Sequence, residues 1–211
     1  MTDTPIDAIN PNTAEHITAA LTHHGWCVTP DFVDTQTLCA LACEAEHRWT
    51  QQEFRAARIG SGHRLQTAAA IRGDSIAWID PGTLSAAQTV YVEQLEHLRQ
   101  SLNCALFLGA FDLELHFARY PIGAYYSKHL DRHAHTRARV VSCILYLNQD
   151  WNVEDGGQLR IYLPSGETER SIDVTPRGGT LVTFLSGDFH HEVLPAVRPR
   201  LSITGWMRTR C

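Results

Sequence analysis

The chain has 211 residues, of which 44% are apolar and 19% are charged. This composition is typical of a globular protein with one real core and argues against two domains. The net charge of −5, without a run of lysine or arginine, argues against a surface for nucleic acid or anionic membranes. No apolar run approaches the roughly 20 residues that span a bilayer, and the first residues contain no signal core. The six cysteines form no CxxC pair, so we expect reduced thiols and a cytoplasmic location.

Helical periodicity predicts three helices in the first half of the chain. The pattern Asn12-Thr13-Ala14-Glu15 is similar to a capping box, and Gly25 ends the helix that it begins. Asp34 can cap a second helix. A third helix is expected over 85–102. Its apolar residues should face a core: Val90, Leu95, Leu98 and Leu102.

Residues 54–80 are interrupted by glycines and rich in arginine. The stretch from Ile71 to Ile79 predicts a turn that runs into a strand. One interpretation is a surface hairpin with solvated arginines. The other is a mobile flap over a cleft, since such loops often carry function.

From Phe111 onward, short β-rich runs separated by turn signals replace the helical periodicity. The runs are 112–120, 125–131, 139–147, 157–162, 169–174, 179–185, 189–193 and 200–208. About eight strands at this spacing suggest a jelly roll, and the run 139–147 is apolar on both of its faces.

We therefore predict a mainly β fold with flanking helices (α+β). Its core is a double-stranded β-helix (jelly roll), with the N-terminal helices packed on one sheet. We expect one domain over 1–211, with a helical cover and flap in 1–105 and the jelly-roll core in 111–208.

A candidate metal site begins at His129-Leu130-Asp131. On a strand these histidine and aspartate side chains point to the same side. The pair His190-His191 offers a third ligand, and only one of these two neighbours can face the same point. Two histidines and one carboxylate form the facial triad of non-haem Fe(II) oxygenases. An HxD pair alone is a weak signal among twelve histidines.

Arg200 strengthens this interpretation, because it follows His191 by nine residues and shares a strand face with Thr204. A guanidinium binds a carboxylate bidentately, and a hydroxyl adds a donor. An unpaired arginine inside a jelly roll would be a costly buried charge, which a bound dicarboxylate would neutralise. Tyr146, if it faces inward, can donate a further hydrogen bond.

In combination, these motifs resemble the Fe(II)/2-oxoglutarate-dependent dioxygenases. The resemblance narrows to the prolyl 4-hydroxylase family, in particular the oxygen-sensing HIF-type prolyl hydroxylases and their small bacterial relatives. It covers residues 55–208 and is densest from 111 onward. The segments that carry it are 71–79, 118–121, 126–131, 144–151, 156–161, 191–195 and 200–206.

The resemblance implies a role for each matching residue. The iron ligands would be His129, Asp131 and His191. Arg200 would bind the distal carboxylate of 2-oxoglutarate with help from Tyr146 and Thr204. The rest of this pocket would be lined by Tyr120, Ile144 and Leu159. The flap and its base, where the substrate polypeptide lies in the family, would contain Arg72, Asp74 and Trp78.

Three further histidines have simpler interpretations. His133 and His135 repeat the alternate spacing of the HxD pair and could extend a metal site, but a place on the loop at its mouth is favoured. His116 is expected to be a core histidine with satisfied hydrogen bonds.

The implied reaction is hydroxylation of a prolyl residue at C4 in a protein, with release of succinate and CO₂. The implied cofactors are Fe(II), 2-oxoglutarate and O₂, with ascorbate as a candidate reductant. The expected partner is a protein or peptide that contains proline, and neither nucleic acid nor membrane is expected. One alternative is an oxygenase of a free amino acid or other small molecule. Another is a non-catalytic jelly-roll binding module.

Overall fold

The computed structural model describes residues 14–57, 71–132, 138–163 and 170–210. The α-helices in these ranges are α1 (Ala14–His24), α2 (Thr35–Thr50) and α3 (Ala86–Leu106). The strands are β1 (Trp26–Thr29), β2 (Arg55–Ala56), β3 (Ser75–Trp78), β4 (Ala110–Tyr120), β5 (Tyr126–His129), β6 (Arg139–Tyr146), β7 (Leu159–Leu163), β8 (Arg170–Val174), β9 (Leu181–Leu185), β10 (His191–Val193) and β11 (Arg200–Thr209). A short 3₁₀ helix covers Val153–Asp155. None of the described helices is both long and apolar enough to cross a membrane.

The strands form two antiparallel sheets. The larger has the order β1-β9-β6-β11-β4-β3-β2, and the smaller has the order β5-β10-β7-β8. One group of buried apolar side chains lies between the helices and the larger sheet, and a second group lies between the two sheets. Strand β6 contributes to both, with Leu145 in the first and Tyr146 in the second. The predicted mainly β fold with a jelly-roll core and helices on one sheet is confirmed.

Helices α2 and α3 begin where the sequence predicts. The pattern predicted to begin the first helix, at Asn12 and Thr13, lies outside the described residues. One core assignment is wrong. The Asp34 carboxylate accepts a hydrogen bond from the Thr37 backbone N–H at 2.8 Å, which caps α2. On α3, Val90 is 38% exposed, whereas its neighbour Tyr91 is fully buried. Positions 91, 95, 98 and 102 follow helical spacing, so residue 90 is rotated away from that stripe.

The predicted strand over 125–131 is also shorter than expected. Strand β5 ends at His129, and Asp131 follows in a bend. Strand β3 likewise begins only at Ser75, after the turn expected from Ile71. Most of the predicted flap, residues 58–70, lies outside the described residues.

The central pair of the larger sheet, β4 and β11, is in register over almost its whole length. Arg200 lies opposite Tyr120, and Thr204 lies opposite His116. The strands approach closely at Gly205, where a Cβ atom would overlap the Glu114 carbonyl oxygen and the Leu115 side chain. A glycine is therefore required at this position.

We predict that Gly205→Ala lowers the free energy of unfolding by about 1–3 kcal/mol, because the added methyl group forces the two strands apart. Urea unfolding followed by circular dichroism measures this. In the control Gly82→Ala, the new Cβ meets only the flexible end of Asp80 at 3.3 Å. We expect that control to stay within about 0.5 kcal/mol of the wild type. Equal unfolding midpoints for the two variants would contradict the close approach.

Candidate active site

Three side chains converge at one end of the cleft between the sheets. His129 at the end of β5 lies opposite His191 at the start of β10, and Asp131 completes the triad. The potential ligand atoms all lie within 4.8 Å of one another. His129 Nε2 and His191 Nε2 are each 3.6 Å from an oxygen of Asp131. This donor set and spacing suit one divalent transition metal ion.

Backbone carbonyls orient both histidine rings toward that point. Nδ1 of His129 is 2.8 Å from the Ser127 carbonyl oxygen, and Nδ1 of His191 is 3.1 Å from the Phe189 carbonyl oxygen. Because a carbonyl oxygen only accepts hydrogen bonds, each Nδ1 carries the proton. Each Nε2 then presents its lone pair to the metal position, as in characterised metal-histidine sites.

Asp131 is positioned by a hydroxyl rather than by strand alternation. The Ser142 hydroxyl on β6 donates to Asp131 Oδ2 at 2.6 Å and lies 2.9 Å from the Ser186 hydroxyl. Burial alone would raise the pKa of Asp131. The two histidines and Ser142 outweigh burial and hold this pKa well below its usual range. Burial lowers the pKa of His191 to about 4, against the opposing charge of Asp131. At neutral pH the site therefore presents an ionised carboxylate and a neutral imidazole, the forms that bind metals.

A buried arginine lies deeper in the cleft. Arg200 is 2% exposed, and its Nε donates to the Gly157 carbonyl oxygen at 2.9 Å. No described aspartate or glutamate forms an ion pair with it. Its guanidinium carbon lies 5.1 Å from the ring centre of Tyr120 and 4.9 Å from that of Tyr146. A buried cation held in this way leaves its terminal N–H groups available to an anionic ligand.

The Tyr146 hydroxyl is a second available donor. It is buried, and no described residue accepts a hydrogen bond from it. Arg200, which lies beside it, can only donate. Burial raises the pKa of Tyr146 to about 12, although the Arg200 charge opposes this. The hydroxyl therefore keeps its proton at neutral pH and can donate it in a hydrogen bond.

A cavity of about 440 Å³ joins the triad to Arg200. Four of the residues assigned to the 2-oxoglutarate pocket by resemblance line it: Tyr120, Ile144, Leu159 and Thr204. Tyr146 is not part of its lining and reaches the pocket through its contact with Arg200. The cavity has the size of a small-molecule site, and both apolar and charged side chains line it.

The three residues expected at the flap base also line the cavity. Arg72 and Asp74 form a two-point ion pair at 2.6 and 2.8 Å, so each charge is already satisfied. The Arg72 guanidinium lies over the Tyr126 ring, and that ring stacks on His129 with centroids 3.6 Å apart. Trp78 is 49% exposed at the cavity mouth. A contact of these residues with substrate stays a prediction.

The other histidines considered in the sequence analysis differ in burial and in their contacts. His190 is exposed, whereas His191 is buried in the triad, as the motif implied. His133 and His135 lie outside the described residues. His116 is buried, but neither ring nitrogen has a hydrogen-bond partner among the described residues. The expectation of a satisfied core histidine is therefore wrong, because the rings on either side of His116 are those of Trp78 and Trp206.

Sequence reasoning assigned no supporting role to Ser142, Arg139 or Tyr126. Ser142 carried a usable signal: it is a lone hydroxyl on the face of β6 that also carries Ile144 and Tyr146. Arg139 lies over the Trp206 ring with its guanidinium carbon 3.3 Å from the ring centre, a contact between two strands that sequence spacing does not reveal.

Comparison with known proteins places this site in a family. Residues 115–208 match the model of the 2OG-Fe(II) oxygenase superfamily. A crystal structure of a Pseudomonas putida prolyl-4-hydroxylase has a TM-score of 0.85 and 43% identity, and the match covers 94% of this chain and 100% of that one. A Trichoplax adhaerens prolyl hydroxylase, solved with a peptide fragment of the hypoxia-inducible factor oxygen degradation domain, has a TM-score of 0.82 and 26% identity over 92% of this chain and 88% of that one. Human Egl nine homolog 1 is 31% identical over 200 residues, which are 91% of this chain and 46% of that protein.

The chain therefore belongs to the 2OG-Fe(II) oxygenase superfamily, whose members use Fe(II), 2-oxoglutarate and O₂. Within it, the chain is a homologue of the Egl nine prolyl hydroxylases and shares its fold with the Pseudomonas prolyl-4-hydroxylase. It spans about half the length of the curated relatives that it matches first. The residues present fit these cofactors, because the triad supplies three metal ligands and Arg200 is an unpaired buried cation in the same cavity.

We predict that Ser142→Ala weakens metal binding by about 10- to 100-fold, because Asp131 loses the hydroxyl that orients it. Anaerobic calorimetry with Mn(II) measures this affinity. Ser186→Ala is the control, since its hydroxyl contacts Ser142 and not the carboxylate, and its effect should be smaller. An unchanged Mn(II) affinity in Ser142→Ala would show that the hydroxyl does not position the ligand.

Proposed function

We propose that this chain hydroxylates a prolyl residue at C4 in a protein or peptide. In this reaction O₂ supplies one oxygen atom to the proline and one to succinate, and 2-oxoglutarate loses CO₂. The observation that carries the proposal is a metal-binding triad and an unpaired buried arginine in one cavity. The match to a prolyl-4-hydroxylase over nearly the full length of both chains supports the choice of substrate.

In this proposal the triad holds Fe(II). The bound iron, with 2-oxoglutarate and O₂, supplies the oxidising chemistry that removes an unactivated hydrogen. The two imidazoles and the Asp131 carboxylate would hold the ion through three protein ligands, and the remaining positions would be open to co-substrate and O₂. The Ser127, Phe189 and Ser142 hydrogen bonds keep these ligands rigid.

Arg200 is the proposed binding residue for the distal carboxylate of 2-oxoglutarate. Its guanidinium is buried and unpaired by any described carboxylate, and the neutral Tyr146 hydroxyl lies beside it. Thr204 adds a hydroxyl from the same strand. The carbon chain would lie against a wall that excludes water, formed by Tyr120, Ile144 and Leu159.

The proposed substrate side of the cavity is its mouth. Trp78 presents a half-exposed aromatic surface there, which suits an apolar pyrrolidine ring. Arg72 and Asp74 satisfy each other, so we assign them to fixing the flap base and the Tyr126 ring against His129. The peptide-bound Trichoplax relative supports a polypeptide substrate. We infer that this substrate is neither a nucleic acid nor a membrane component, since the net charge is −5.

We also infer a cytoplasmic location. The described cysteines, 27, 39, 43, 104 and 143, are all free thiols. Unpaired thiols are typical of reducing compartments.

The direct test incubates the purified chain with Fe(II), 2-oxoglutarate, ascorbate and a library of synthetic peptides that each contain one proline. We expect one added oxygen atom on proline in a subset, assigned to C4 by NMR. Free proline and other free amino acids are tested in parallel. If only free amino acids are hydroxylated, the substrate is a small molecule and not a peptide. Absence of succinate from the iron-loaded protein with every substrate would favour a binding module.

The neighbouring histidines 190 and 191 allow a comparison between a variant of a proposed metal ligand and a control variant. We predict that His191→Ala abolishes peptide-dependent succinate formation, because it removes an iron ligand. His190→Ala should retain it, because this side chain is exposed. Succinate is quantified by mass spectrometry at saturating Fe(II). Retained turnover in His191→Ala would remove the proposed metal site.

Arg200 offers a test of co-substrate binding. We predict that Arg200→Gln raises the KM for 2-oxoglutarate by about 100-fold or more, because a buried carboxylate loses its charged partner. Arg160→Gln is the control, since Arg160 pairs with Asp173 near the protein surface and should leave this KM unchanged. A KM in Arg200→Gln near that of the control would contradict the assignment.

A further inference from the structure

His116 is a buried polar residue that the cofactors leave unexplained. It lies on β4, is 1% exposed and lines the cavity. Its ring centre is 5.0 Å from that of Trp78 and 5.5 Å from that of Trp206. Neither Nδ1 nor Nε2 has a hydrogen-bond partner among the described residues.

An imidazole in this place has a cost that an apolar side chain would not have. A buried donor or acceptor without a partner destabilises a protein by about 1–3 kcal/mol. Two aromatic rings flank the position, so a side chain such as methionine would pack there without that penalty. A ring with two available nitrogens at the wall of a cavity is therefore suited to a partner that enters the cavity.

The protonation state of His116 defines what that partner can be. Burial lowers its pKa to about 3, and the charges of Arg72 and Arg139 act in the same direction, while Asp131 opposes them. The ring is neutral at physiological pH, with one N–H donor and one lone pair. A peptide group, which also carries one donor and one acceptor, matches this ring.

His116 and Arg200 lie at different positions along the two central strands. Tyr120 lies opposite Arg200, whereas His116 lies opposite Thr204. Four residues of extended strand correspond to about 13 Å. The His116 ring also lies next to Trp78, the exposed tryptophan of the mouth. His116 is therefore nearer to the mouth than Arg200 is.

We propose that His116 is a substrate-binding residue that exchanges hydrogen bonds with a peptide group beside the target proline. The inference rests on the proposed prolyl hydroxylation. Proline itself has no backbone N–H, so the matching donor belongs to a flanking residue. The Trp78 and Trp206 rings on either side of His116 provide apolar surfaces for the pyrrolidine ring.

The first test measures peptide binding without turnover. The probe is the peptide hydroxylated fastest in the library, labelled with a fluorophore, on protein loaded with Mn(II) and 2-oxoglutarate without O₂. We expect His116→Met to raise its Kd by about 10-fold, as expected for one lost buried hydrogen bond. His116→Gln keeps a donor and an acceptor, so it should recover most of the affinity. His97→Met, an exposed histidine on α3, is the control.

The second test locates the partner group. Two analogues of the same peptide each replace one amide by an ester, which has no N–H and is a weaker acceptor. One replaces the amide N–H of the residue before proline, and the other replaces that of the residue after proline, since proline itself has no N–H. We expect one ester to weaken binding to the wild type and to cause no further loss in His116→Met. Such non-additivity identifies a direct interaction. Additive losses for both esters would overturn the proposal.

The outcomes distinguish this inference from the proposed function. If the wild type hydroxylates no proline peptide, both fail. If it does, and His116→Met binds the peptide as tightly as the His97→Met control, only the role of His116 is overturned. Should His116→Met fail to fold, His116→Phe replaces it, since phenylalanine keeps a ring without nitrogens. A change in kcat without a change in KM for the peptide would also overturn the role in binding.

Discussion

The pairing of β4 with β11 is the constraint on which the site depends. One continuous register places Tyr120 opposite Arg200 and His116 opposite Thr204. It thereby arranges a pocket for an anion and a more open, aromatic region along the same two strands. The close approach at Gly205 keeps these strands together where no side chain would fit. A shift by one residue would turn every one of these groups to the opposite face.

The cavity carries polar groups whose partners are not supplied by the described residues. Within the described residues, Arg200 has no carboxylate partner, the Tyr146 hydroxyl has no acceptor, and the His116 ring has no hydrogen-bond partner. Each arrangement lowers the stability of the protein without ligand. Buried polar groups without hydrogen-bond partners are expected at functional sites.

A surrounding set of hydrogen bonds gives the metal position its geometry. Carbonyl oxygens fix the tautomers of His129 and His191, and Ser142 orients Asp131. The triad itself could be predicted from spacing and from the family pattern, because these ligands belong to short motifs. The supporting hydroxyl comes from another strand, so only a weak pattern on β6 pointed to it. The division at 105 and 111 into a helical cover and a jelly-roll core stays a prediction.

The sequence by itself determined the order and type of the elements, the family pattern and the candidate residues His129, Asp131, His191 and Arg200. These features are encoded in local periodicity and in short spacings, which each segment carries alone. Only the tertiary structure decided that Asp131 reaches the site from a bend beyond its strand, that Val90 faces outward, and that His116 has no hydrogen-bond partner among the described residues. These properties depend on which segments meet in space. A buried histidine has the same spacing on its strand whether its neighbour is a carboxylate or a tryptophan, and that neighbour decides whether its nitrogens remain available to a substrate.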